Sequence, residues 1–505
     1  MATQPIFESL NILKSVGKVK TTVKAECKTE TATEGIKRVI GISAAANITD
    51  KETEVGKIKC GGKIVYQVFY ETEDGEIKKC EASCEYAGVI TDDKITERTI
   101  SKLEVKVEKT EADITGTKLT LSAILMVTGE LFINETVSAL TGGENLITLN
   151  KETEIIKSYG VKTGTYSIEE EFEIPFEIKE VLSHKAEPRI TAAQCGVGTI
   201  IVDGEVVLSA LLLQNSENSD IIRETKTLPF RMELDYEEAM PSMQCSATVF
   251  EKSFKSDVTV EEGGGKSIVT ASVFMQFESE ATAIEEVTLA EDVFSTAEEL
   301  EVTAETVLYD APCAVIGCSA EVLEKVPLTD IAEGTILTAV GGERAELLEV
   351  KPTDGGLKIE GTLRLDLYLK DAEGKNTVKR IETPFTTEAA CVIPEDCGFT
   401  VRFVVANPNA KLLSLEEAEV GAEILLSVYT NKSKKLKYIK EVSVSGEKTP
   451  ETSAVSVYIP TEGEEMWSLA KRLNVSPEEL LRANKDLQFP LSGEERIVVY
   501  RQRQN

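Results

Sequence analysis

One histidine, His184, and one tryptophan, Trp467, stand among 505 residues. So little imidazole confines Ser–His or Cys–His chemistry to His184. That residue lies in the polar run Ser183-His184-Lys185-Ala186-Glu187-Pro188, which reads as a solvated loop rather than a catalytic centre. The ten cysteines contain no CxxC pair, and a zinc site wants about four closely spaced soft or imidazole ligands. The closest spacings, Cys80 with Cys84, Cys313 with Cys318 and Cys391 with Cys397, therefore read as buried or half-buried thiols. No run approaches about 18 consecutive apolar residues, so no transmembrane helix is expected. The opening Met1-Ala2-Thr3-Gln4-Pro5-Ile6-Phe7-Glu8 has no basic segment, apolar run or small-residue cleavage site. It does not read as a signal peptide, which argues against a secreted disulfide framework and for a cytosolic location.

Positive charge is scarce as well. Against 87 acidic residues stand 55 basic ones, a net charge of −32. Such a field repels phosphate backbones and anionic leaflets, which excludes nucleic acid and membrane surfaces as expected partners. It leaves simple solubility, or attraction to a basic partner. Carboxylate pairs abound only because the chain is acidic, and none is singled out for acid–base work. Glu262-Gly263-Gly264-Gly265-Lys266 resembles a phosphate cradle superficially, but its spacing is not that of a Walker loop. A strand through Val269 follows, so a hairpin turn is expected there. No catalytic residue, metal or cofactor is expected.

Hydrophobic residues make up 42% of the chain, enough for packed cores over roughly three to five domains. A faint repeat of roughly 150 residues runs through it. One landmark is a glycine that opens a strand, followed by an acidic turn and a second strand. It reads Gly62-Lys63-Ile64-Val65-Tyr66, then Gly204-Glu205-Val206-Val207-Leu208, then Gly361-Thr362-Leu363-Arg364-Leu365. Turns follow at Glu73-Asp74-Gly75, Ser216-Glu217-Asn218 and Ala372-Glu373-Gly374. Two copies then reach Pro229-Phe230 and Pro384-Phe385; the first has no such pair.

The second landmark is a strand of strict alternation. It runs through Leu119, Leu121, Ala123, Leu125 and Val127, through Val269, Ala271, Val273, Met275 and Phe277, and through Val420, Ala422, Ile424, Leu426 and Val428. Period-two alternation marks a strand with one buried and one wet face. The expected fold is mainly β. Three sandwich-like units at 1–155, 156–305 and 306–444 precede a polar linker at 445–454 and a small βααβ domain at 455–501. A short helix near Pro5, Ile6, Leu10 and Leu13 is a further expectation.

In the tail, Val455, Val457 and Ile459 alternate as a strand, and Gly463-Glu464-Glu465-Met466-Trp467 opens a helix. Ser476, Pro477 and Glu479 carry the signature of a capped second helix. That helix ends near Asn484, and Ile497, Val498 and Val499 close the domain. The order and wording resemble the LysM family, through Tyr458, Gly463, Met466, Trp467, Val475, Ser476, Glu479, Leu480, Asn484 and Gly493. Glu464-Glu465 stands where the family has Asp-Thr, and Val498-Val499-Tyr500 where it closes on Ile-Pro. Several β units followed by one LysM resemble the SPOCS-type spore coat assembly proteins of clostridia.

The resemblance implies a non-enzymatic scaffold in the mother-cell cytosol at the forespore surface. Its partner would be a protein, the ATPase of the coat's basement layer, with self-association of the β units open. The family's site would lie on Gly463, Glu464, Glu465, Met466, Trp467, Asn484, Leu487 and Gln488, with Trp467 more a core residue than a contact. The other reading is a binder of peptidoglycan through N-acetylglucosamine chains, which Glu464 and Glu465 disfavour.

Overall fold

The computed structural model describes residues 3–30, 35–216, 219–260, 265–449 and 454–500. The chain is mainly β, 77% strand with two short helices. No described helix is long and apolar enough to cross a membrane. Part of the turn at Ser216-Glu217-Asn218, residues 262–264 of the glycine run, 450–453 of the expected linker and residue 501 lie outside the described residues.

Eighteen strands fall into three successive stretches of six. The first holds β1 (Gln4–Glu30), β2 (Ile36–Glu54), β3 (Lys57–Thr72), β4 (Ile77–Thr91), β5 (Thr99–Thr115) and β6 (Lys118–Glu144). The second holds β7 (Ile147–Ile174), β8 (Ile178–Cys195), β9 (Thr199–Gln214), β10 (Ile221–Asp235), β11 (Gln244–Val260) and β12 (Ser267–Phe294). The third holds β13 (Glu298–Pro327), β14 (Ile336–Thr353), β15 (Gly356–Lys370), β16 (Asn376–Ala390), β17 (Gly398–Leu412) and β18 (Glu417–Glu447). In each stretch the first strand pairs with the sixth and the sixth with the fifth, while the second, third and fourth make a separate sheet. The two sheets of a stretch share one apolar core, as Val23, Tyr66 and Leu125 do in the first.

The two sequence landmarks occupy the central strands. The glycine strands are β3, β9 and β15; the alternating strands are β6, β12 and β18. A central strand is bonded along both edges, so its side chains meet packed neighbours on every side and its pattern is the strictest. Leu119, Leu121, Ala123, Leu125 and Val127 are all buried on one face of β6. The landmark glycines make room for rings. Gly62, Gly204 and Gly361 lie directly across from Tyr86, Phe230 and Phe385. A Cβ at Gly361 would collide with the Glu346 carbonyl on one neighbour and the Phe385 ring on the other. The first stretch, which lacks the Pro-Phe pair, places Tyr86 in that role and ties its hydroxyl to the Asn47 carbonyl at 3.0 Å.

The first and last strands of each stretch run 27 to 31 residues. Half of each covers its own core. The other half reaches a cluster that all three stretches build together, with Ile12, Val137, Ile155, Leu289, Val307 and Leu436. Register shifts at Ser15/Gly17, Glu280/Thr282 and Pro312/Ala314 mark the passage from one core to the other. A bulge bends a strand and increases its twist, which lets one strand serve two cores. The glycine-bearing sheets meet in a second common cluster. Phe69, Leu211 and Tyr368, each seven residues beyond its landmark glycine, pack there, with the rings of Phe69 and Tyr368 5.7 Å apart.

Several expectations change. The N-terminal helix is replaced by β1, because Leu10 and Ile12 are buried at period two against β6. Strands β7 and β13 run unbroken through 155–156 and 305–306, since their first halves belong to the shared cluster. Residues 445–447 continue β18, with Gly446 paired to Glu299 and Glu447 to Glu298. His184 is not in a loop but in β8, where Nδ1 meets Ser256 Oγ at 2.7 Å and the ring stands edge-on to Phe254 at 4.7 Å. Burial holds its pKa below the ordinary value.

Gly361→Val should cost about 1–3 kcal/mol, because neither the Glu346 carbonyl nor the Phe385 ring can retreat. Gly142→Ala, whose Cβ would meet nothing within 4 Å, should stay within about 0.5 kcal/mol of the parent. Denaturant midpoints of the two variants check this, and equal costs would contradict it.

Candidate functional site

The tail runs β19 (Val455–Tyr458), α1 (Met466–Leu473), α2 (Pro477–Ala483) and β20 (Ile497–Tyr500). Gly463 sits at φ 81°, a left-handed conformation that suits a residue without Cβ. Its amide donates to the Leu491 carbonyl at 2.8 Å, and the Leu491 amide returns a bond to the Glu464 carbonyl at 3.1 Å. The turn before α1 is thus stitched to the segment after α2. Ser476 caps α2: its hydroxyl accepts from the Glu479 amide at 3.1 Å, and the Glu479 carboxylate accepts from the Ser476 amide at 3.3 Å. Leu469, Ala470, Leu473, Leu480, Ile497 and Val499 form the core beneath.

The eight expected site residues take different roles. Gly463, Glu465 and Gln488 are exposed, and Met466 and Leu487 half-buried. Glu465 is the N-cap residue of α1 without a side-chain cap bond. The Glu464 carboxylate accepts two bonds from the Arg472 guanidinium at 2.9 and 2.8 Å and one from the Thr461 amide at 3.0 Å. Burial alone would raise its pKa, but these donors outweigh it and hold the group below the ordinary carboxylate range. Asn484 is used inside the fold, donating to the Leu480 and Val498 carbonyls and accepting from the Val498 amide at 2.7 Å.

Trp467 faces the β body. Its Nε1 donates to Asp292 at 2.8 Å, and its ring stands edge-on to Phe294 at 5.2 Å. Lys471 completes the contact with bonds of 2.7 and 2.8 Å to both Asp292 oxygens. Lys448 bridges Asn474 and the Ser295 carbonyl at 2.7 and 2.8 Å. The tail is therefore held in one pose by an ion pair, an indole hydrogen bond and a ring contact. Asp292 and Phe294 carry no local signal in the sequence, because their partners lie some 175 residues further on.

One face of the tail's small sheet is apolar and open to solvent. Val455, Val457, Ile459 and Tyr500 are 53, 60, 72 and 64% exposed. Val455 is the direct cross-strand partner of Tyr500, and Val457 lies two residues on, so they share one face of the small sheet. No protein-family model, curated protein or solved structure matches this chain.

All ten cysteines are thiols, and the pairs that meet are not those adjacent in sequence. Cys313 lies 3.7 Å from Cys397, and Cys318 touches Cys391. Among the described residues no group of three or more His, Cys, Asp or Glu side chains is placed to hold a metal ion.

Because Trp467 is the chain's one tryptophan, its fluorescence reports on the docked tail alone. Burial raises the Asp292 pKa, and the Lys471, Trp467 and Val293 donors lower it further than that, so the net shift is downward. A carboxylate depressed in the folded state stabilises fully above its unfolded pKa of about 3.9 and loses that contribution as pH falls through the folded value. Emission should hold steady from neutral pH to about 4 and then change in one step below it. Asp292→Asn should show the loosened spectrum already at neutral pH. Identical titrations of parent and variant would remove Asp292 from this role.

Proposed function

We propose that the chain is a non-enzymatic scaffold of spore coat assembly that recruits a protein partner through its C-terminal module. The partner class is the ATPase of the coat's basement layer, in the mother-cell cytosol at the forespore surface. The observation that carries the reading is the exposed face of Val455, Val457 and Tyr500, with Ile459 exposed just beyond the strand. Contiguous apolar surface on a module this small suits a protein interface. The strand–helix–helix–strand order, the Gly463 turn and the Ser476–Glu479 cap support the LysM resemblance. The anchors on Asp292 and Phe294 would present that face in a fixed orientation on the scaffold.

A glycan-binding role fares less well on the same geometry. Trp467, the one indole able to stack on a sugar, is committed to Phe294 and Asp292. At the turn where a LysM would grip N-acetylglucosamine, Glu464 and Arg472 form a closed ion pair.

Removing the residues after 450 should abolish capture of the basement-layer ATPase from sporulating cells, while the β body keeps its thermal transition. The milder Val455→Glu/Val457→Glu pair should weaken capture at least tenfold, in the range lost when a hot spot is charged. Undiminished capture by both would defeat the proposal. Titration with N-acetylglucosamine oligomers should show no saturation, and saturable binding would favour the glycan reading.

A further inference from the structure

Each six-strand stretch turns two of its sheet-edge strands toward a common centre: β2 and β5, β8 and β11, β14 and β17. Exposed edges invite unwanted pairing, and facing them inward removes that liability. Side chains hold the edges apart, and a cavity of about 240 Å³ remains between the three stretches. A single water occupies about 10–15 Å³ on this measure, so the space exceeds what a few structural waters need. Its walls reverse the charge of the protein. Seven Lys and Arg residues line it against four Glu, in a chain where acids outnumber bases 87 to 55.

Three of the four glutamates are already matched. Glu187 pairs with Lys185 at 3.3 Å and also with Lys252. Glu343 receives a two-pronged contact from Arg223 at 2.9 and 3.1 Å. Glu104 is shared by Lys106 at 3.5 Å and Arg402 at 3.7 Å. The fourth, Glu108, offers Arg344 only its backbone carbonyl, at 3.3 Å.

Two arginines are left under-used. Arg344 reaches that carbonyl and the Thr110 hydroxyl at 3.4 Å, both long contacts to neutral oxygens, and the nearby Asp366 and Glu343 carboxylates offset only part of the cost of burying its charge. Arg189 divides its guanidinium between Glu205 at 2.9 Å and the Cys318 carbonyl at 2.7 Å, and its partnerless Nε is sealed from the cavity. Charge only partly compensated in a low-dielectric interior is costly, and a guanidinium fork is matched best by a planar or tetrahedral oxyanion. The aromatic faces nearby are taken, Tyr429 by Arg402 and Phe403 by Lys106, so the walls offer charge and hydrogen bonds rather than a stacking slot.

We infer that this central cavity is a binding site for a compact, multiply charged oxyanion of the phosphate or pyrophosphate class, gripped by Arg344 with Lys252. Arg344 comes from the third stretch and Lys252 from the second, so the anion would clamp stretches together and stabilise the whole body by mass action. The site is independent of the tail and of its partner.

The test uses the full-length protein at constant ionic strength, with calorimetry and thermal melting against sodium pyrophosphate and inorganic phosphate up to about 10 mM. One saturable site per chain is expected, with a melting temperature that rises with ligand. Arg344→Gln should melt higher than the parent without anion, because a buried and only partly offset charge is gone, and should bind pyrophosphate at least about tenfold more weakly. Lys440→Ala, which removes an exposed cation elsewhere on β18, should leave both properties unchanged. The inference is overturned by the absence of saturable binding in the parent. A thermal shift equally large in Arg344→Gln, or reproduced by chloride at the same ionic strength, overturns it as well.

Discussion

Six strands of this protein are longer than the core of their own stretch, and the rest of the structure follows from covering their ends. A strand with one apolar face must bury that face along its whole length. In β1, β6, β7, β12, β13 and β18 the inner half lies over the stretch's own core and the outer half over the shared cluster around Ile12, Ile155 and Val307. No stretch could bury those outer halves alone. The bulges near Gly17, Gly160 and Pro312 let the backbone bend between the two cores without breaking its ladder.

The same convergence arranges both candidate sites. It sets three pairs of edge strands facing one another, close enough to enclose a cavity and too burdened with Lys, Arg and Glu side chains to close it. It also brings the end of β12, with Asp292 and Phe294, to the surface beside the end of β18, from which the tail departs. The tail then finds its docking partner through Trp467 and Lys471 rather than swinging free. An acidic chain thus keeps a cationic interior. Separating charge in this way gathers several cations in one place, where three of the four carboxylates compensate part of the cost of burying them.

The central strands could be read in advance, and the reason is physical. β6, β12 and β18 are bonded on both edges, so their alternation is uninterrupted, and the landmark glycines recur because a ring from the next strand must lie over each of them. The caps of α2 were equally legible, since Ser476 and Glu479 act on amides three residues away. Harder to read were the first strands. Pro5, Ile6, Leu10 and Leu13 suggest a helical spacing, yet the partner that makes Leu10 and Ile12 a strand face lies on β6, beyond residue 118. His184 misled for a similar reason: its polar neighbours suggest solvent, while Phe254 and Ser256 on β11 cover it.

By itself the sequence determined what short-range physics controls: the mainly β character, the twin landmarks of each stretch, the helix caps of the tail and the acidic surface field. Tertiary structure alone decided which surfaces meet. Alternation states that one face of a strand is buried but not what buries it. The partly matched guanidinium of Arg344, the turning of Trp467 toward Asp292 and the aliphatic face left open at Val455 and Val457 therefore appear only once distant segments are folded together.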